Sequence, residues 1–322
     1  MAGYPSVTDN WTTAFISTLE ASKKSLTDNI YKVTPLSAVM LKKGRMKSQA
    51  GGTYITENVS YDINNTVKKM ASATDTISIN RNEKRTKARW TWGYFAGSVV
   101  RYYNEEKENT GAFEIRNIIN DELTDVENAL KDDFETRLFD ATDGLQLALP
   151  YTATWSSTQA FGGFDPTAGN QDFWRNGCAS RTGSSFAANW DSWFIDSDLA
   201  IENEKCAADL IVTTDTIWKY YKTECLGMKS ITYDTYLADL GFKSIEYEGR
   251  PLVHSPKCPA GNLYFIDTNH LRITYNPLAW FDHTEWKPQQ NSLNYAMQVI
   301  CAWVLTSDKR KAHYTNTLIN TA

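Results

Sequence analysis

The sequence predicts an α+β protein, and three stretches carry that reading. One is a long helix with a single apolar stripe between Asn109 and Asp140. Another is a long basic hairpin before it. The third is a compact series of short buried strands and helices after Trp193. The helix spans about 28 residues, roughly 40 Å at 1.5 Å per residue. Ile115, Ile119, Leu123, Val126, Leu130, Phe134 and Leu138 recur at steps of three and four, which places them on one face. Glu114, Asp121, Asp125 and Asp132 make an acidic stripe opposite. Thr110 or Asn109 can cap its start. Such a beam is a support for something laid across it; the plainer alternative is an ordinary surface helix.

The totals describe a globular chain. It has 322 residues, a net charge of −5, 42% hydrophobic and 22% charged residues, enough for two domains or one large interrupted one. The mild acidity argues against gripping DNA over the whole surface, though not against enclosing it. The cysteines, Cys178, Cys206, Cys225, Cys258 and Cys301, are odd in number and show no CxxC spacing, which predicts free thiols in a reducing compartment. The start, MAGYPSVTDN, lacks the pattern of a secretory signal, and the longest apolar run, Tyr295 to Leu305, is too short to span a bilayer.

Taken in order, residues 11–31 read as a first helix with Phe15, Leu19, Leu26 and Ile30 on one face, which Pro35 ends. A short apolar segment, Leu36 to Leu41, precedes the basic cluster Lys42, Lys43, Arg45 and Lys47. This first segment is expected to pack against something distant, as an arm. After Gly51 and Gly52 the period changes to two. Ile55, Val59, Tyr61 and Ile63 form one face of a strand, 64–74 a polar tip, and Ile77 and Ile79 open the return. On that return Arg85, Lys87 and Arg89 point one way and Ala88, Trp90, Trp92 and Tyr94 the other. A hairpin this long needs a surface, either its own chain's or a neighbour's.

The charges favour a neighbour. The return strand carries Arg81, Lys84, Arg85, Lys87 and Arg89 against Glu83, whereas residues 112–143 hold ten acids and three basic residues. The expectation is that the basic hairpin of one subunit crosses the acidic helix of the next, with charge setting register and partner choice. Two solvated faces that never meet are the alternative.

Residues 144–189, rich in Gly, Ser, Thr and aromatics, read as a surface excursion that returns to the body through Phe173, Trp174 and Arg175. Beyond it the pattern predicts a helix over 195–205, a buried strand at 208–214, an amphipathic helix at 215–224 and strands at 245–249, 250–256, 263–268 and 271–276. A core-crossing strand follows at 294–305 and a final strand or tail at 306–322. No HExxH, P-loop, GxSxG or GxGxxG motif is present, so no catalytic residue is assigned and no cofactor is expected. The four His show no metal spacing, and His254 with Cys258 reads as a buried structural pair.

Five stretches in this order resemble the major capsid proteins of tailed bacteriophages. They are WTWGYFAGSVVRYYNEEKENTG (90–111), the long helix with its LFDATDGLQLALP exit (138–150), FGGFDPTAGNQDFWRN (161–176), ADLIVTTDTIWKYYKTE (208–224) and GRPLVHSPKCPAGNLYFIDTNHLRI (249–273). The resemblance implies the Hong Kong 97-type capsid fold: an N-terminal arm (1–43), an extended β-hairpin loop (44–97), and a peripheral domain (98–191). That domain carries the spine helix (about 110–140) and a surface loop (about 151–190). An axial domain (192–279) and a return to the peripheral domain with a C-terminal tail (280–322) complete it. It further implies hexamers and pentamers tiling an icosahedral shell around double-stranded DNA without sequence-specific contact, an acidic interior, a virion location after assembly in host cytoplasm, and no membrane. Expected partners are other copies of the chain, a separately encoded scaffolding protein (the arm starts almost at once), a portal and decoration proteins. Some relatives cross-link a Lys to an Asn between subunits; Lys68 and Lys69 lie near the tip, but the Asn and an assisting Glu have no match, so cross-linking is not expected. An encapsulin-type compartment is the alternative within this fold. A soluble glycan-binding or hydrolytic protein using the Trp-rich loop 151–193 is the alternative outside it.

Overall fold

A computed structural model of the chain describes residues 35–62, 67, 69–72, 75–76, 83–103, 125–126, 128–130, 132–169, 171–182, 185–227, 245–290 and 292–317. The expected helix at 11–31, the hairpin tip, Arg81 and the first half of the spine helix lie outside these residues.

The organising strand is β13 (Tyr295–Ser307), the core-crossing strand expected from its apolar run. It pairs antiparallel over nine residues with β4 (Gly93–Arg101), from Tyr295↔Arg101 to Trp303↔Gly93. It also pairs antiparallel with β10 (Leu271–Tyr275), β11 (Asp282–His283) and β12 (Lys287–Pro288). β1 (Met46–Ser48) adds parallel to β10 and completes a six-stranded sheet. The second half of the spine, helical at 125–126, 128–130 and 132–138, packs on this sheet through Leu130, Phe134 and Leu138. Phe134 lies 4.6 Å and Phe95 5.5 Å from the Trp303 ring, so the helix and β4 are joined through one indole.

A second six-stranded sheet runs β5 (Gly177–Ser180), β14 (Tyr314–Thr317), β9 (Leu263–Ile266), β6 (Leu210–Thr213), β8 (Arg250–His254) and β7 (Ile245–Tyr247). Its central strands are buried on both faces, and the period of two divides them between cores. Leu210, Val212, Val253, Tyr264 and Ile266 join the first sheet's core. Ile211, Leu252, Leu263 and Phe265 pack with Phe194, Ile201, Ile217 and Tyr221 of two covering helices. Those helices are Phe186–Asn203 and Asp215–Gly227. The first begins nine residues before the expected 195, because Phe186, Trp190, Trp193 and Phe194 already form its inner face. Arg250 fastens it to β8 through both carboxylate oxygens of Asp198, at 2.5 and 2.6 Å.

At three places the structure refines or corrects these expectations. The helix that Pro35 was expected to end lies outside the described residues; Pro35 is the first residue of another, Pro35–Lys42, where its missing N–H is harmless. Leu36, Val39 and Met40 of that helix are buried in the main core of their own chain, not against something distant. The basic cluster after it is consumed locally: Lys43 pairs with Asp209 at 2.5 Å, Lys47 with Glu57 at 2.7 Å, and Arg45 donates to the Asn269 side chain. The stretch read as a surface excursion is anchored at Trp174 as expected, and it is buried at Phe161 as well. Trp174 is fully buried and its Nε1 donates to the Phe161 carbonyl at 2.7 Å, since an indole N–H inside a core requires an acceptor. Beside it Arg310 is fully buried. It donates to the carbonyls of Ala148 (2.8 Å), Leu147 (3.0 Å) and Gln159 (3.3 Å), closing the free end of the short helix Leu145–Ala148. Burial pulls its guanidinium down to about 9, which leaves it cationic at neutral pH.

Candidate assembly surface

The β2–β3 hairpin, Ile55–Ser60 against Arg85–Trp90, forms a two-stranded sheet with register Ile55↔Trp90 to Ser60↔Arg85. Its inner face alternates as expected: Ile55, Val59, Ala88 and Trp90 are buried. The surface beneath them belongs to the same chain. Trp90 meets Phe161 edge-on at 5.4 Å, Arg89 N–H donates to the Gly162 carbonyl at 2.8 Å, and the Tyr61 ring packs tilted against Phe173 at 5.3 Å. Gly162 is required there. Its φ is +63°, and a Cβ would stand 2.7 Å from Trp90.

The outer face is basic. Arg85, Lys87 and Arg89 are exposed and Lys84 half-exposed, and none of the four makes an ion pair among the described residues. Alternation alone places three guanidinium and ammonium groups on one side of one strand. Glu57 breaks the pattern on the partner strand. It faces inward, 8% exposed, between Lys47 and Arg272. Its position between Ile55 and Val59 in the alternation was the signal for that.

Of the acidic stripe, Glu114 and Asp121 fall outside the described residues. Asp125 is exposed, and Asp132 is exposed but pairs with Lys257 of its own chain at 2.8 Å. Asp132 accordingly raises the Lys257 ammonium pKa. One turn on, Glu135 is buried and accepts from Ser255 Oγ at 2.6 Å; burial raises its carboxyl above the ordinary range. The two contacts lock the spine to the loop after β8. The described basic and acidic site residues make no ion pair with each other within one chain.

Between the spine and β4 lies a groove of about 360 Å³, lined by Tyr94, Phe95, Gly97, Val126, Asp133 and Arg137 among others. Arg137 spans it, paired to Asp133 at 2.7 Å with its guanidinium 4.3 Å over the Phe95 ring. Tyr94, assigned by alternation to the buried face, is 65% exposed at its rim because β4 leaves the hairpin for the large sheet at Gly93.

The buried structural pair expected of His254 and Cys258 is not formed, because His254 is only half-buried and each side chain has another partner. His254 Nδ1 bonds Asp215 at 2.5 Å, and Cys258 Sγ points to the Asn262 carbonyl at 3.9 Å, so the two do not pair. Cys178, Cys206, Cys258 and Cys301 are free thiols. Among the described residues no helix is long and apolar enough to cross a membrane.

No family model matches the chain and no curated protein matches it in sequence. Solved structures do. The chain is similar to a subunit of the cyanophage A-1(L) capsid asymmetric unit, with 15% identity and a TM-score of 0.62 over 86% of this chain and 91% of that one. It is similar to the capsid subunit of a native GTA particle, with 13% identity and a TM-score of 0.54 over 86% and 89%. It is also similar to the SrpI encapsulin of Synechococcus elongatus PCC 7942, with 11% identity and a TM-score of 0.53 over 90% and 89%. The chain has a phage major-capsid-like fold.

Proposed function

We propose that the chain is a major capsid protein that assembles as hexamers and pentamers into an icosahedral virion shell around double-stranded DNA. The observation that carries this reading is the structural likeness to the cyanophage capsid subunit along nearly the whole of both chains. In this reading the arm, extended loop, peripheral domain and axial domain occupy the residue ranges given above. The basic face of β3 is the side of the extended loop that meets the next subunit. Asp125, with Asp121 and Glu114, is its acceptor, and Asp132 contributes there besides holding Lys257. Each contact is modest, but repetition around a closed shell makes the sum large. The mechanism is assembly, without catalysis, and scaffolding and portal proteins are the partners.

The likeness to SrpI supports a second reading, a compartment that holds a protein cargo. The glycan-binding alternative loses its residues: Trp174 and Trp193 are buried and Trp155 and Trp190 half-buried, so no open indole platform remains on that loop.

Sedimentation of the purified chain, with electron micrographs of the heaviest fraction, tests the assembly reading. Closed shells or rings of five and six are expected, and nuclease-protected DNA inside separates a capsid from a compartment. A monomer at every concentration, with and without a co-expressed scaffold, overturns both.

A further inference from the structure

Where the two sheets meet, three potential ligands converge, two of them three residues apart and the third from a distant part of the chain. They are Cys206 after the helix Phe186–Asn203, Asp267 at the end of β9, and His270 before β10. Cys206 Sγ, an Asp267 carboxylate oxygen and a His270 ring nitrogen all lie within 4.8 Å of one another. We propose that Cys206, Asp267 and His270 form a binding site for a divalent transition metal, best matched by Zn²⁺, that pins the junction of the two sheets.

The surroundings are those of a prepared site. His270 Nδ1 lies 2.7 Å from Asp308 Oδ1 at the end of β13. A carboxylate only accepts, so the ring proton sits on Nδ1 and the Nε2 lone pair is left for a metal. Nε2 is 4.0 Å from Asp267 Oδ2. Asp267 has a 4%-exposed side chain whose other oxygen is occupied by the backbone N–H and the side-chain amide of Asn269, at 2.9 and 2.8 Å. The carboxylate is therefore oriented with one oxygen turned to His270. Asp308 is held in turn by Arg272 at 3.1 Å.

Thiolate, imidazole and carboxylate together suit Zn²⁺ better than Mg²⁺ or Ca²⁺, which take oxygen ligands. Three protein ligands leave the fourth tetrahedral position to water. At ordinary Zn–ligand bond lengths, tetrahedral neighbours stand about 3.3–3.6 Å apart, so the ligands close by up to about 1.5 Å on binding. Lys309 Nζ now donates to Cys206 Sγ at 3.2 Å and to the Glu204 carbonyl at 2.5 Å. On binding it keeps the carbonyl and gives up the sulfur. The spacing test on the sequence missed the set because Cys206 is brought to Asp267 and His270 only by the sheet junction.

The test uses the full chain, reduced and stripped with chelator, titrated with Co²⁺. The expected result is a sulfur-to-cobalt charge-transfer absorption that saturates at one ion per chain, is displaced by Zn²⁺, and is lost in Cys206→Ser and in His270→Gln. Asp308→Asn lowers the affinity about tenfold. Zn²⁺ also raises the melting temperature of the parent chain and not of the variants. No saturable band, or one that persists in either variant, overturns the site. Should a variant not fold, alkylation of the parent decides. Zn²⁺ must slow modification of Cys206 and leave Cys178 unchanged; equal rates overturn the proposal.

Discussion

Ser255 donates its hydroxyl to Glu135 at 2.6 Å, joining the spine helix to a residue 120 positions later in the chain. Burial raises the Glu135 carboxyl above its ordinary 4.5, and the Ser255 hydrogen bond opposes that rise without cancelling it. A carboxyl with a raised folded pKa holds its proton more tightly folded than unfolded. Its contribution to stability is full below the unfolded value and declines as pH rises through the folded one. Glu135→Gln, which keeps an acceptor for Ser255, removes that slope. Its melting temperature should match the parent near pH 4 and exceed it increasingly toward pH 7. Thermal melts across this range check it; a constant offset at all pH would contradict the assignment.

Arg310→Met keeps the bulk of the side chain and removes its donors. The carbonyls of Leu147, Ala148 and Gln159 then lose their partner inside the core. The expected cost is about 3 kcal/mol or more, from the desolvation of unsatisfied groups. Urea unfolding of the unassembled chain measures it.

Gly162→Ala forces a side chain into left-handed backbone and against the Trp90 ring. A loss of about 2–3 kcal/mol is expected, since neither the indole nor the turn can yield freely. The hairpin rests on this contact, so cleavage by added protease at Thr91 and Trp92 should accelerate before the rest of the chain is attacked.

Reversing Arg85, Lys87 and Arg89 to Glu changes exposed groups that make no ion pair among the described residues. The melt of the subunit should move by less than about 1 kcal/mol equivalent. Shell yield by sedimentation should fall at least tenfold, and reversal of Asp125 to Lys in the same chain should restore part of it. Normal assembly of the triple variant would sink the loop-over-spine contact. Asp132 is the poorer choice for this test because its removal also frees Lys257.

Alkylation of the folded chain in chelator should mark Cys178 and Cys206 and spare Cys258 and Cys301. The last two are buried, and burial pushes both thiols far above their ordinary range, Cys301 to about 12. Peptide mapping after a timed reaction reads this directly. Equal labelling of all four would mean that the sheet junction opens on the timescale of the reaction.

What the sequence determined by itself is which face of each element is buried. The alternation at 85–90, the stripe of Leu130, Phe134 and Leu138, and the apolar run at 295–305 each state this locally, because side-chain direction repeats with the backbone's own period. The ordered series of those elements was enough to suggest the capsid-type fold that the comparisons support. What only the tertiary structure decided is which partner each face meets. Arg310 closing the helix end at Ala148, Glu57 lying between Lys47 and Arg272, and Cys206 standing beside His270 all depend on residues far away in the chain. Local periodicity carries the energy of leaving water, but pairing and ligation depend on distances that exist only once the two sheets are joined.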